Sequence, residues 1–125
     1  MNQLDRQMQE VEVTIEECEE QIAQAEALER LHKNPDFKKV ILEDYFEKNT
    51  LRTVMMKSAA GHEAPDKQQN LDNVLMGISQ LGAYFHKIFA FGEGASRAMD
   101  EHRATREELL AEDLAADDTG PQLVN

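Results

Sequence analysis

The chain has 125 residues and a formal net charge of −12, with 41% apolar and 6% aromatic residues and no Trp, which is one domain's length, lean for a globular core and ordinary for helices. So acidic a surface excludes general binding to nucleic-acid phosphates or anionic lipid and leaves basic partners, metal ions or no charged partner at all. The single cysteine, Cys18, allows no internal disulfide, so synthesis in a reducing cytoplasm is expected.

The charge is unevenly placed. Residues 1–32 carry nine Asp/Glu against two Arg, residues 33–92 seven against eight Lys/Arg, and residues 93–125 nine against three. All five Phe and both Tyr lie between Phe37 and Phe91, so aromatic burial belongs to the middle and acid to the flanks. The expected organisation is an acidic helical arm over 1–33, a core over 34–92, an acidic C-terminal helix over 93–116 and a disordered tail over 117–125.

In chain order, the first pattern is Leu4, Met8, Val11, Ile15, Cys18, Ile22 and Ala25, at alternating spacings of four and three. This is a heptad seam, with Met8, Ile15 and Ile22 at a and Leu4, Val11, Cys18 and Ala25 at d. Glu12, Glu19 and Glu26 all fall at e while Gln7, Thr14 and Gln21 fall at g, so two parallel copies would gain no ion pairs between these positions. A basic partner helix, or packing returned from elsewhere in the same chain, suits the seam better. A solvated, Glu-rich face on an ordinary amphipathic helix gives the same pattern.

Asn34-Pro35-Asp36 reads as a helix start: Asn caps, Pro has no N–H to lose in the first turn, and Asp suits the positive end. On a 3.6-residue wheel Phe37, Val40, Ile41, Tyr45, Leu51, Val54 and Met55 share one broad face, widened by Leu42 and Phe46, which predicts the core helix over Pro35 to about Ala60. Gly61 can end it and Pro65-Asp66 can begin the next. From there Leu71, Val74, Leu75, Ile78, Leu81, Gly82, Phe85, Ile88 and Phe89 follow helical spacing as far as Phe91. Gly77 and Gly82, each costing about 1 kcal/mol relative to Ala in a helix, point to close approach of a neighbouring element. Gly92 and Gly94 predict a break over 91–96, followed by a last helix over 96–116. Leu123 and Val124 in the tail have the makings of a short docking peptide. No window reaches the 18 or so apolar residues of a membrane span, so no membrane association is expected.

The search for chemistry finds little. Glu29 and His32 have the Glu-x-x-His spacing of di-iron bundles, but His62, His86 and His102 each lack a Glu three residues earlier. His62-Glu63 has no second His four residues on, and Pro65 interrupts any helix through it. Cys18 has no nearby His for a zinc knuckle or a Cys–His nucleophile, and Gly92-Glu93-Gly94 lacks the third glycine and preceding strand of a phosphate-binding loop. His86, beside Phe85, reads as a hydrogen-bonded residue at the core rim and His102 as solvated. No catalytic residue, cofactor or metal is expected.

The run 28–46, with its Asn34-Pro35-Asp36-Phe37 helix start, followed by Leu71 to Phe91 and an acidic helical tail, resembles a group of small acidic helical proteins of tailed bacteriophages associated with virion structure or assembly. The resemblance covers 28–91 and rests on a folding motif, so it carries over no functional residue. It implies a virion component or assembly factor, made in the host cytoplasm and present in the virion if retained there.

The expected fold is all-α: a central helical hairpin with an N-terminal heptad, coiled-coil-like helix and a C-terminal acidic helix. The expected function is a non-enzymatic interaction protein that pairs with itself as a homo-oligomer, with another virion protein, or with both, and with neither nucleic acid nor membrane. Leu4, Met8, Val11, Ile15, Cys18 and Ile22 would make the pairing seam, and Glu12, Glu19 and Glu26 would select the partner by charge. The alternative is an acidic inhibitor or DNA mimic occupying the basic groove of a host enzyme, motivated by the two acidic flanks.

Overall fold

A computed structural model describes the backbone of residues 2–122 and the side chains of residues 2–116. It is all-helical, with three helical runs and no strand among the described residues. None of these helices is long and apolar enough to cross a membrane.

α1 (Gln3–Lys33) is uninterrupted because nothing before Pro35 breaks it. It stops where the Pro35 ring forbids continuation, and Asn34 turns outward to start the next helix. The Asn34 Oδ1 accepts hydrogen bonds from the Asp36 and Phe37 amides at 2.9 and 3.1 Å, as the sequence predicted.

The second run starts with a single turn, α2 (Pro35–Phe37), and ends in a regular α-helix, α3 (Asn49–Lys57). Between them Lys38–Lys48 is wound as a π-helix; at its end the Asn49 amide donates to Asp44, five residues back. π winding takes roughly 4.4 residues per turn instead of 3.6, about 20° less rotation per residue. Across the 11 residues of this stretch the downstream face therefore turns by roughly 200°. That rotation corrects the wheel drawn from the sequence. Ile41, Leu42, Tyr45 and Phe46 are half-buried, but Val40, Leu51, Val54 and Met55, expected on the core face, are exposed.

Residues 58–64 connect the second run to α4 (Pro65–Gln122). Gly61 takes φ +87°, the left-handed conformation a helix end favours. Gln68 Nε2 donates to the Lys57 and His62 carbonyls at 2.9 and 2.7 Å, and Lys57 pairs with Asp72. α4 then continues without the break expected over 91–96. Gly92 and Gly94 keep negative φ within it, and intact i→i−4 bonding outweighs their poor propensity. The helix reaches Gln122, into the stretch expected as a disordered tail; Leu123 and Val124 lie outside the described residues.

The chain divides into two compact units: Met1–Gln24 with Phe91–Asn125, and Ala25–Ala90. In the first, Ile15 and Cys18 of α1 form a buried cluster with Ala95 and Met99 of α4, flanked by Val11, Ile22 and Ala98. In the second, His32 stands among Phe37, Phe85 and Phe89, its ring centroid 5.3 to 5.4 Å from each, and its Nδ1 lies 2.9 Å from the Leu28 carbonyl. Phe46 meets Phe85 at 5.9 Å. His86, read from sequence as the rim histidine, is exposed; His32 takes that place because it shares a helical face with buried Leu28.

Candidate interaction surface

The residues singled out for partner binding lie on α1, and six of them form one face. Ile15 and Cys18 are buried, Leu4, Met8, Val11 and Ile22 are half-buried, and Glu12, Glu19 and Glu26 are exposed. Ile15, Cys18, Val11 and Ile22 pack against the chain's own α4. Return packing, one of the two arrangements the e-position glutamates favoured, is what the structure contains.

Charge matches across this contact. Arg106 lies 3.8 Å from Glu12, and Arg103 3.8 Å from Glu19. Advancing along α1 thus means going back along α4, so these segments run antiparallel. The arginines supply the basic partner face, although each pair is half-exposed and worth at most about 1 kcal/mol. The α4 positions turned inward are Gly92, Ala95, Met99, His102, Arg106 and Leu109, at spacings of three and four. Sequence reasoning missed this second seam because Gly, Ala, His and Arg at those positions carry no hydrophobic signal. Only the spacing could have shown it.

Exposed apolar side chains occur along α1 (Val13, Leu31) and α4 (Met76, Tyr84, Phe91), and a group of neighbours on one face occurs on α3. On α3, Leu51 is 62% exposed, Val54 50% and Met55 64%, and spacings of three and one put them on a single helical face. Thr53, on the opposite side, is only 4% exposed, its hydroxyl donating to the Asn49 carbonyl at 2.7 Å. α3 is inside out relative to an ordinary amphipathic helix. Full burial of such side chains is worth roughly 1.5 to 3 kcal/mol each, so on the order of 4 kcal/mol of apolar burial is unrealised on this face. Lys48 and Arg52 lie beside it, the latter 3.8 Å from Asp44. A smaller exposed pair, Leu110 and Leu114, occurs near the end of α4.

No group of three or more His, Cys, Asp or Glu side chains is arranged to hold a metal ion among the described residues. No protein-family model matches the chain, and no curated protein and no solved structure is similar enough to it to count as a match.

Proposed function

We propose that this protein is a non-enzymatic helical interaction protein, that its antiparallel α1/α4 contact is a coiled-coil-like clasp holding the acidic flanks, and that its working surface is the apolar face of α3. The observation that carries the proposal is the inversion of α3, with Leu51, Val54 and Met55 outside and Thr53 inside. A helix with apolar residues outside and a threonine inside is explained when another helix covers the outer face.

A second copy is the first partner to test. Two copies approaching through residues 33–92 meet across a segment whose eight Lys/Arg balance seven Asp/Glu, whereas approach through either acidic flank is opposed by like charge. The resemblance to small acidic phage proteins makes virion assembly the setting, with another virion protein as the further partner. Light scattering during size exclusion at low and high salt tests this. The full chain should run as an oligomer that persists in salt, because apolar burial is not screened, and Leu51→Asp with Met55→Asp should reduce it to a monomer of unchanged helicity. A monomeric wild type, or an oligomer indifferent to the double substitution, overturns the assignment.

A further inference from the structure

Two windings of residues 38–57 bury two different apolar sets. As an α-helix in register with Phe37, this stretch gathers Val40, Ile41, Tyr45, Leu51, Val54 and Met55 on one side and turns Leu42 and Phe46 away from it. As a π-helix over Lys38–Lys48 it half-buries Ile41, Leu42, Tyr45 and Phe46 and leaves Val40, Leu51, Val54 and Met55 exposed. Each winding holds a set of hydrophobic residues inward, the π winding with Thr53 among them.

The π winding has identifiable holds and an identifiable cost. Phe46 packs on Phe85 and lies near Gly82, where an added Cβ would be 3.5 Å from the ring; Tyr45 Oη lies 3.8 Å from the corresponding position at Gly77. Against this, α3 turns Thr53 inward, and Thr50 Oγ1 is buried without a hydrogen-bond partner. The start is fixed whichever winding follows, because Asn34 caps it, whereas the ties of α3 to α4, the Lys57 carbonyl to Gln68 and the Lys57 ammonium to Asp72, are formed in the π winding and would be given up with it.

We propose that residues 38–57 form a two-state segment that exchanges between the π winding seen here and an α winding, trading exposed Val40, Leu51, Val54 and Met55 for exposed Leu42 and Phe46. The exchange belongs to the isolated chain and rests on the partner reading only for its consequence, which is that the α3 face is displayed in one winding and withdrawn in the other. A partner that binds this face selects the π state.

The test is nuclear magnetic resonance on the labelled full-length chain, at a dilution at which light scattering shows it to be monomeric. Couplings across hydrogen bonds report whether the Asn49 amide is bonded to Asp44, as in the π state, or to Tyr45, as in the α state. Saturation-transfer and relaxation-dispersion experiments detect a minor state over 38–57. The expected result is a major π pattern with a minor α pattern in exchange. Phe46→Ala should raise the minor population several-fold by removing what the π winding buries, and Leu51→Gln, at an exposed site that cannot unfold the chain by loss of packing, should suppress it. A π pattern with no exchange in the wild type and both variants overturns the proposal while leaving the partner reading intact. An exclusively α pattern overturns both.

Discussion

Gly94→Ala separates a continuous α4 from a broken one. Gly94 lies inside the helix at negative φ, and a methyl group there would meet nothing within 4 Å. The substitution therefore removes a glycine's conformational freedom from the unfolded chain without adding a clash, a gain of about 0.8 to 1 kcal/mol. With an m-value of roughly 2 kcal/mol/M, the urea midpoint followed by circular dichroism should rise by about 0.4 to 0.5 M, and the melting temperature by about 3 to 5 °C. Gly61→Ala supplies the internal control. Its φ of +87° is strained for any side chain, so the same chemical change should lower stability by about 1 to 2 kcal/mol. If Gly94→Ala is neutral or destabilising, the chain bends at 91–96 and α4 is not one helix.

Other substitutions probe the two units separately. Ile15→Ala removes a buried side chain from the α1/α4 cluster and should cost about 3 kcal/mol, whereas Val13→Ala, on the exposed side of the same helix, should stay within about 0.5 kcal/mol; equal costs in urea denaturation would contradict the burial. Asn34→Ala deletes the acceptor of two amide hydrogen bonds and should cost about 1 kcal/mol by the same assay, with an unchanged midpoint ruling out that cap. A double-mutant cycle on Glu19 and Arg103 should give a coupling below about 1 kcal/mol that fades in high salt. A larger, salt-resistant value would mean that this pair is more enclosed than its half-exposed geometry indicates.

The parts of this architecture that were legible in the sequence are those governed by local chemistry or by large apolar residues at regular spacing. Asn34-Pro35-Asp36 named its own helix start, Gly61 its own turn, and Leu4 to Ile22 their shared face. Other features resisted for physical reasons. Winding is a property of backbone hydrogen bonding, so a wheel drawn at 3.6 residues per turn could not anticipate that Lys38–Lys48 would turn Leu51, Val54 and Met55 to the surface. Gly92 and Gly94 looked like a break because propensity is local, whereas the burial of Ala95 and Met99 against Ile15 and Cys18 is not. Gly77 and Gly82 do have a neighbouring element against them, Tyr45 and Phe46 of the second run, at a distance where an added methyl would make ordinary contact. The seam on α1 was visible, but its partner was hidden in residues too small or too polar to register as apolar.

Cys18 offers the most direct test of whether that seam is closed by the chain itself. It is the chain's single thiol, sits in the seam and is 6% exposed. Its reaction with a thiol reagent should be at least about 100-fold slower in the native protein than in the urea-unfolded chain, with the same protection at low and high protein concentration. Protection that disappears on dilution would show the seam to be closed by a second copy. A thiol that reacts freely at every concentration would show it to be open.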